Sequence, residues 1–320
     1  MPADLQNPIF NDLNAAREAL EAVRWPNGPY CPHCGVTERI AKVEGEKHRP
    51  GLYYCNTCKG TFTVTVGTVF ERSKVPLTKW WLASHLMGSS KKGVSAHQLH
   101  RMLGVTYKTA WFMAHRLREG MTDLDPTPLG GKDKVVEVDE TFIGPARDVF
   151  VNDRGWQKER GTGTKRKVIS LVERGGRARS IKVDDLSAAT IRKALFENVV
   201  LDSTLNTDEA QHYKRPGRQF AAHEAVNHSA GEYARGSVTT NTVEGFFSIF
   251  KRGMTGVYQH CGEQHLHRYL AEFDFRYSNR VALGVDDAER VRRIMKGIGG
   301  KRLTYRRTRS GKIIPFPSKA

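Results

Sequence analysis

Three acidic residues stand in sequence patterns where a carboxylate is suited to chemistry. Asp139 belongs to an apolar strand pattern over residues 134–140, and because strands disfavour Asp, its presence there favours a functional role. Asp208 ends a second strand pattern over residues 203–208. Glu244 lies near the start of a helical pattern, thirty-six positions after Asp208. We treat the three acids as one candidate constellation.

Carboxylates that converge from two strands and a helix can hold a pair of divalent cations, Mg²⁺ or Mn²⁺. Hard cations prefer oxygen ligands, and two such ions support phosphoryl transfer by activating the attacking oxygen and stabilising the leaving one. Lys251 follows Glu244 by seven residues, which places both on the same helical face. Lys251 and its neighbour Arg252 are therefore predicted to contact a DNA phosphate.

Each acid also has a purely structural interpretation. Asp139 can end an edge strand, Asp208 can cap the following helix, and Glu244 can form a capping box with Asn241. Several other acids and histidines are ranked lower as site residues: Glu137, Glu140, Glu209, His223 and His228.

Two CxxC motifs, Cys31–Cys34 and Cys55–Cys58, are separated by twenty residues. This spacing is typical of a structural zinc site, in which four thiolates close a tetrahedron and leave no open position for catalysis. Gly35 and Gly60 follow the motifs, as tight turns require. His33 is a weaker ligand candidate, and Cys261 stands alone. Removal of the zinc is expected to unfold residues 30–70.

Residues 77–121 contain three helical patterns with short joints. Ser95 is a candidate helix cap, Gly104 a sharp turn, and Thr106 the cap of the last helix. The exposed start of that helix carries Tyr107, Lys108 and Thr109, which are predicted to contact DNA as in a helix-turn-helix. A plain three-helix bundle with a basic surface is the alternative.

The composition points to an acidic partner. The chain has 320 residues and a formal net charge of +17, and nucleic acid is the commonest partner of so basic a protein. Neither a secretory signal nor an apolar run long enough for a membrane span is apparent, so a cytoplasmic, nucleoid-associated protein is expected. From Arg290 onward there are eleven Lys or Arg and no Asp or Glu, which suggests a tail that is disordered or bound to DNA.

In this order and spacing, the motifs resemble the bacterial insertion-sequence DDE transposases that begin with a zinc ribbon, the ISXO-type group. The resemblance rests on both CxxC motifs, residues 138–144, 207–208, 241–248 and 251–253, and the helical run 269–277. It implies an RNase H-like catalytic fold, Asp139, Asp208 and Glu244 as the DDE triad followed by Lys251, and movement of an element with terminal inverted repeats. Whether Asn241 also contributes to the metal site stays open.

The expected protein is thus a multi-domain α+β transposase. Its predicted parts are an N-terminal helix (1–24), a zinc ribbon (25–70), a helix-turn-helix (76–121), a linker (122–133), an RNase H-like α/β catalytic domain (134–282) and a basic tail (283–320). Its expected partners are double-stranded DNA, as terminal repeats and as target, and further copies of the chain assembled on that DNA. The rival hypotheses are a DNA-binding repressor without catalysis and a nuclease that cleaves without joining.

Overall fold

The computed structural model describes residues 5–122, 125–144, 148–152, 155–158 and 165–304. The chain divides into two compact units, unit 1 up to Thr122 and again from Val285, and unit 2 from Asp123 to Gly284. The helices longer than a single turn are α1 (Leu13–Arg24), α2 (Leu77–Ser89), α3 (Ala96–Leu103), α4 (Tyr107–Gly120), α5 (Ala188–Asn198), α6 (Gln211–Gly217), α7 (Asn241–Gly253), α8 (Leu266–Ser278) and α9 (Asp287–Lys296). The strands are β1 (Ile40–Val43), β2 (Leu52–Cys55), β3 (Thr61–Phe62), β4 (Val135–Ile143), β5 (Asp148–Val151), β6 (Gly155–Lys158), β7 (Arg166–Glu173), β8 (Ala178–Val183), β9 (Thr204–Thr207), β10 (Ala222–Ala225), β11 (Ala234–Arg235) and β12 (Val238–Thr239).

The first part of unit 1 is helix α1 followed by an antiparallel sheet in the order β1-β2-β3. Asp12 starts α1 by accepting a hydrogen bond from the backbone N–H of Ala15 at 2.6 Å. The apolar centre is aromatic, because the buried rings of Trp25, Tyr53 and Phe62 pack with centroids 5.2–6.0 Å apart. So few buried side chains form only a small core, which is where a metal site adds most stability.

Helices α2, α3 and α4 confirm the three helical patterns predicted over residues 77–121. Ser95 caps α3 through the N–H of Gln98, and Thr106 caps α4 through the N–H of Thr109. Gly104 ends α3 with a φ of 58°, the left-handed conformation expected of a glycine at a sharp turn. The chain therefore turns between α3 and α4 where the sequence predicts it.

Helix α9 lies within the segment that the sequence analysis assigned to a basic tail. Between its charged residues it carries an apolar stripe, and Val291, Ile294 and Met295 are buried. Arg290 donates to the backbone carbonyl of Gly88 at the end of α2, with an Nη1–O distance of 2.9 Å. This part of the segment is a packed helix, because the stripe gives it a buried face; residues from 305 onward lie outside the described part of the chain.

Unit 2 is built on a mixed sheet in the order β10-β9-β4-β7-β8. Strands β4, β7 and β8 pair antiparallel, whereas β9 is parallel to β4 and to β10. The strands predicted over residues 134–140 and 203–208 are confirmed as β4 and β9, and the helical pattern that begins near Glu244 and the helical run 269–277 are confirmed as α7 and α8.

Helices cover both faces of this sheet. On one face Val168 and Val172 pack with residues of α7 and α8, including Phe246 and Phe273. On the other face the alternate strand residues pack with α5 and α6 around Leu195. This alternation is why the central strands are apolar on both sides. In the described part of the chain, we find no helix with the length and apolar character to cross a bilayer.

Candidate functional site

The four cysteines of the CxxC motifs converge in unit 1, with their sulfur atoms within 4.8 Å of one another: Cys31, Cys34, Cys55 and Cys58. The Sγ atoms of Cys31 and Cys58 are 3.6 Å apart, and those of Cys34 and Cys55 are 3.7 Å apart. Four sulfurs at this spacing match the ligand set of a tetrahedral zinc site. The cluster fits a structural zinc ribbon.

Two tight turns hold these sulfurs in position. Each turn contains a residue with positive φ, the left-handed conformation, but the residue type differs between the two turns. Gly35 has a φ of 80°, as expected of a glycine that follows the first motif. After the second motif the left-handed residue is Lys59, with a φ of 58°, and not Gly60. Gly60 is needed for space, because a Cβ there would lie 3.2 Å from the ring of His33 and 3.4 Å from Sγ of Cys58. His33 lies outside the cysteine cluster.

A second cluster lies in unit 2, where β9 ends beside the middle of the parallel strand β4. Carboxylate oxygens of Asp139, Glu140 and Asp208 lie within 4.8 Å of one another. Strand β9 pairs with β4 only as far as Asn206 opposite Glu137, so the three acids follow the point where pairing ends. Ligands of open α/β sheets bind at this kind of position.

The hydrogen bonds of the two aspartates are local. Asp139 accepts from the backbone N–H of Glu140 at 2.7 Å, and Asp208 accepts from the N–H of Ala210 at 3.0 Å, each through Oδ1. Helix α6 begins after Ala210 without a side-chain cap. Asp208 therefore shapes the turn before α6 and does not cap that helix, contrary to the structural alternative.

Glu140 is the member of this cluster that the sequence analysis ranked below the three candidate acids. Strand alternation places it on the opposite face from Asp139, yet its carboxylate reaches the same cluster. Its Oε1 accepts hydrogen bonds at 2.7 Å from both Nε2 of His212 and the hydroxyl of Tyr213. These two donors come from α6, a helix that the sequence analysis did not predict, so the pattern carried no sign of the interaction.

The acid cluster carries more negative charge than its surroundings balance. Burial raises the pKa of Asp139 to about 7, and the neighbouring charges of Glu140, Asp208 and Glu244 act in the same direction. A site with these properties favours a bound cation, which would remove the repulsion.

Glu244 itself lies outside the compact cluster. Its Oε1 accepts a hydrogen bond from the hydroxyl of Thr240 at 3.0 Å and lies 3.6 Å from Nε2 of His228. The capping box with Asn241 is not formed, since Asn241 is already the first residue of α7 and Thr240 precedes it. Helix α7 is capped by a different carboxylate.

That carboxylate is Glu137, which is fully buried on β4. Its Oε2 accepts from the backbone N–H groups of Thr242 and Val243 at 2.7 and 3.0 Å, the donors that the first turn of α7 leaves unpaired. Its Oε1 accepts from Nε of Arg174 at 2.5 Å. Arg174 also donates to the carbonyl of Thr239 before α7. Glu137 and Arg174 thus fix the start of the Glu244 helix against the strand of Asp139.

The basic residues predicted to contact DNA are at the surface. On α7, Lys251 lies over the ring of Phe247 at 5.8 Å, and Arg252 donates to Oγ of Ser248 at 2.5 Å. At the start of α4, Tyr107 is 44% exposed. Its ring packs on that of His97 with centroids 4.3 Å apart, and the exposed Lys108 and the half-buried Thr109 follow it in the chain. Their contacts with DNA stay predictions.

Comparison with known proteins gives three matches. Residues 128–278 match the ISXO2-like transposase domain, and residues 12–61 match the transposase zinc-ribbon domain. The chain is also 32% identical over 282 residues to an uncharacterized protein in transposable element ISH50 of Halobacterium salinarum. That alignment covers 84% of this chain and 92% of the relative.

The chain belongs to the ISXO2-like transposase family, with the zinc-ribbon domain and the transposase domain in the order that the sequence motifs indicated.

Proposed function

We propose that this protein binds the ends of an insertion element and catalyses metal-dependent DNA strand cleavage and strand transfer. The observation that carries the proposal is the cluster of Asp139, Glu140 and Asp208 oxygens within the region that matches the transposase domain. The sheet order of unit 2, three antiparallel strands continued by two parallel ones, agrees with an RNase H-like fold.

The donor set of the cluster suits Mg²⁺ or Mn²⁺. All its ligand atoms are carboxylate oxygens, which hard cations prefer. Burial, and after it the neighbouring acids, raise the pKa of Asp139, and a divalent cation would favour the ionised carboxylate against both effects. Two ions bound there would supply activation of the attacking oxygen and stabilisation of the leaving oxygen at a phosphate.

The chain's own residues position this chemistry. Asp139 and Asp208 are the proposed principal ligands, and Glu244, in the first turn of α7, is the proposed third acid. Glu140 lies beside them in an orientation fixed by His212 and Tyr213. Lys251, two turns beyond Glu244 on α7, is the proposed contact to a DNA phosphate.

The proposed DNA-binding surface is in unit 1. Helix α4 begins with exposed side chains after a sharp turn, which is the arrangement in which helix-turn-helix proteins read the major groove. The zinc ribbon precedes it in the chain, and the net charge of +17 favours phosphate contacts. We propose that this surface recognises the terminal repeats, with two or more copies of the chain assembled on the paired ends.

The test is a cleavage and joining assay with the element's own ends, the zinc-loaded protein and added Mg²⁺ or Mn²⁺. Asp139→Asn and Asp208→Asn are expected to abolish nicking of the ends while binding to them is retained. Asn keeps the size of the side chain and removes its charge, so both variants are expected to fold. Circular dichroism, compared with the unchanged protein, is the control for folding. Full cleavage by the Asp208→Asn protein would refute the assignment.

The same assay separates the rival functions. Cleavage of the ends without joining would indicate a nuclease, and tight binding without any cleavage would indicate a repressor. The acid cluster favours an enzyme over a repressor. Three carboxylates close together repel one another, and DNA binding alone does not require such an arrangement.

A further inference from the structure

Glu140 is held in the acid cluster by two hydrogen bonds that converge on one of its oxygens. Nε2 of His212 and the hydroxyl of Tyr213 each lie 2.7 Å from Oε1. An ionised carboxylate can only accept, so both groups donate. The side chain is 8% exposed, and within the described part of the chain no group donates to its second oxygen, Oε2. Oε2 is therefore available to a partner from outside the protein.

Tyr213 makes this arrangement rigid. Its ring is fully buried in the core between the sheet and helices α5 and α6. Its hydroxyl cannot follow a carboxylate that moves, because close-packed neighbours fix the ring. The ring of His212 lies against that of Tyr213, with centroids 4.5 Å apart. The two donors therefore select one orientation of the Glu140 carboxylate.

The edge of strand β4 is open where Glu140 reaches toward Asp139. Consecutive strand residues point to opposite faces, so Glu140 starts on the face of α6 and Asp139 on the face of α7. Among the described residues, β9 pairs with β4 no further than Glu137, and no other strand continues along that edge. A side chain from the α6 face can therefore cross the edge and join the carboxylates on the other face.

This orientation costs electrostatic free energy when no cation is bound. Carboxylate oxygens of Asp139, Glu140 and Asp208 lie within 4.8 Å of one another, and like charges at such distances repel. The hydrogen bonds from His212 and Tyr213 hold Glu140 in place against this repulsion. Carboxylates that bind metal ions are commonly held in this way, by donors that do not touch the ion themselves. Glu140 thus has the environment of a supported metal ligand.

We propose that Glu140 is a further carboxylate ligand of the divalent cations, and that His212 and Tyr213 are positioning residues that hold its carboxylate toward Asp139 and Asp208. The inference rests on the proposed function, since it assigns these residues to the same metal site. It adds to the three proposed acids a fourth ligand and two residues of α6 that act through it.

The experiment measures Mn²⁺ binding by the full-length, zinc-loaded protein without DNA. Electron paramagnetic resonance of the free Mn²⁺ in solution gives the affinity and the number of ions bound. Glu140→Gln keeps the size of the side chain and removes its charge, and it is expected to weaken Mn²⁺ binding by at least about 10-fold or to remove one bound ion. Asp139→Asn should weaken binding as well, because it alters a proposed principal ligand.

Two further variants test the positioning residues. Tyr213→Phe keeps the buried ring and removes only the hydroxyl, and we expect Mn²⁺ binding to weaken by about 10-fold. His212→Ala should have a similar effect, whereas His212→Gln should retain most of the affinity, because an amide N–H can still donate. A residue needed only for packing would not show this rescue by a hydrogen-bond donor.

Tyr258→Phe is the matched control. It removes a hydroxyl that donates to the fully buried Glu272 at 2.7 Å, outside the acid cluster. Its Mn²⁺ affinity should equal that of the unchanged protein. Circular dichroism shows which variants are folded. If Tyr213→Phe does not fold, the two His212 variants decide, because the His212 side chain is 25% exposed and is not part of the core.

Unaltered Mn²⁺ binding by Glu140→Gln would overturn the ligand role, and so would an unchanged protein that binds no Mn²⁺. Unaltered binding by the folded Tyr213→Phe and His212→Ala proteins would overturn the positioning role. Mn²⁺ binding that depends on Glu140 in a protein that never cleaves DNA would refute the proposed function and leave the ligand in place. Cleavage that requires Asp139 but not Glu140 would have the opposite meaning.

Discussion

At the scale of single residues, Glu137 has the most demanding environment among the acids near the site. It is fully buried, and its partners are Arg174 and the first turn of α7. Removal of one partner of a buried ion pair leaves the other charge uncompensated, at a cost of about 3–5 kcal/mol. The same change also takes away the acceptor for two backbone N–H groups.

We therefore predict that Glu137→Ala lowers the local opening free energy around α7 by about 3–5 kcal/mol. Hydrogen exchange of peptides from residues 239–250 measures this loss directly. The control is Glu224→Ala, which removes a half-exposed carboxylate paired with Arg235 on the surface of the same unit. Surface pairs contribute about 0–1 kcal/mol, so similar exchange in both variants would contradict the role of Glu137.

The sequence locates the two aspartates better than the other acids, for a physical reason. Asp139 and Asp208 interrupt or end apolar strand patterns, so each stands out within its own segment. Glu137 is recognisable only through the start of α7, whose N–H groups come 105 positions later in the chain. Glu140 depends likewise on Tyr213, 73 positions away. Contacts between distant segments leave no local pattern to read.

Among the structural elements, the zinc ribbon is the one whose stability depends most on a bound metal ion. Its buried aromatic rings form a small centre, and the four sulfurs are close enough to repel one another as thiolates unless a cation balances them. In domains of this kind, the free energy of metal binding contributes directly to the free energy of folding.

We predict that a chelator which removes one zinc ion per chain unfolds residues 30–70. Unfolding would expose Trp25, so tryptophan fluorescence should shift to longer wavelength and recover when zinc is added back. Cys55→Ser should lose the zinc, whereas Cys261→Ser, outside the cluster, should keep it. An unchanged spectrum after complete zinc removal would contradict the prediction.

Helices α4 and α9 approach so closely that their ends require glycine. A Cβ at Gly297 would lie 2.1 Å from the backbone carbonyl oxygen of Gly120, which cannot move aside like a flexible side chain. Gly297→Ala is therefore predicted to destabilise unit 1 by about 1–3 kcal/mol.

Urea unfolding followed by tryptophan fluorescence checks this, because four of the five tryptophans lie in unit 1. Gly299→Ala is the matched control, since a Cβ there meets nothing within 4 Å. Equal unfolding midpoints for the two variants would contradict the prediction, because they would show that α4 and α9 can move apart without a loss of stability.

The elements that the sequence predicts are those with a regular apolar period. The central strands of unit 2 and helices α2 to α4 have such a period, and their bounds agree closely with the prediction. Helix α9 was assigned to a tail because its charges mask a stripe of three or four apolar residues. The β5–β6 hairpin was not predicted because its large rings, Phe150 and Trp156, are exposed, so burial imposes no pattern on them.

At the scale of the whole molecule, the excess of basic residues predicts how DNA binding responds to salt. If the protein makes 6–10 phosphate contacts, its affinity should fall by about 10³–10⁵ between 50 and 200 mM salt, because bound counterions are released from the DNA. The slope of log Kd against log salt, measured by fluorescence anisotropy with a labelled duplex, checks this. A nearly flat slope would show that the net charge of +17 is not directed at phosphates.

The discontinuous unit 1 has a consequence for how the protein is made. Helix α9 belongs to this unit, but the ribosome produces it only after all residues from Asp123 to Gly284. At ~5–20 residues per second, that interval lasts about 10–30 s. The zinc ribbon and helices α1 to α4 therefore emerge without the helix that packs on α2 and α4. A chain whose translation stops before residue 285 would have all of the proposed catalytic acids but an uncovered apolar surface in its N-terminal part, and would be a preferred substrate for chaperones and proteases.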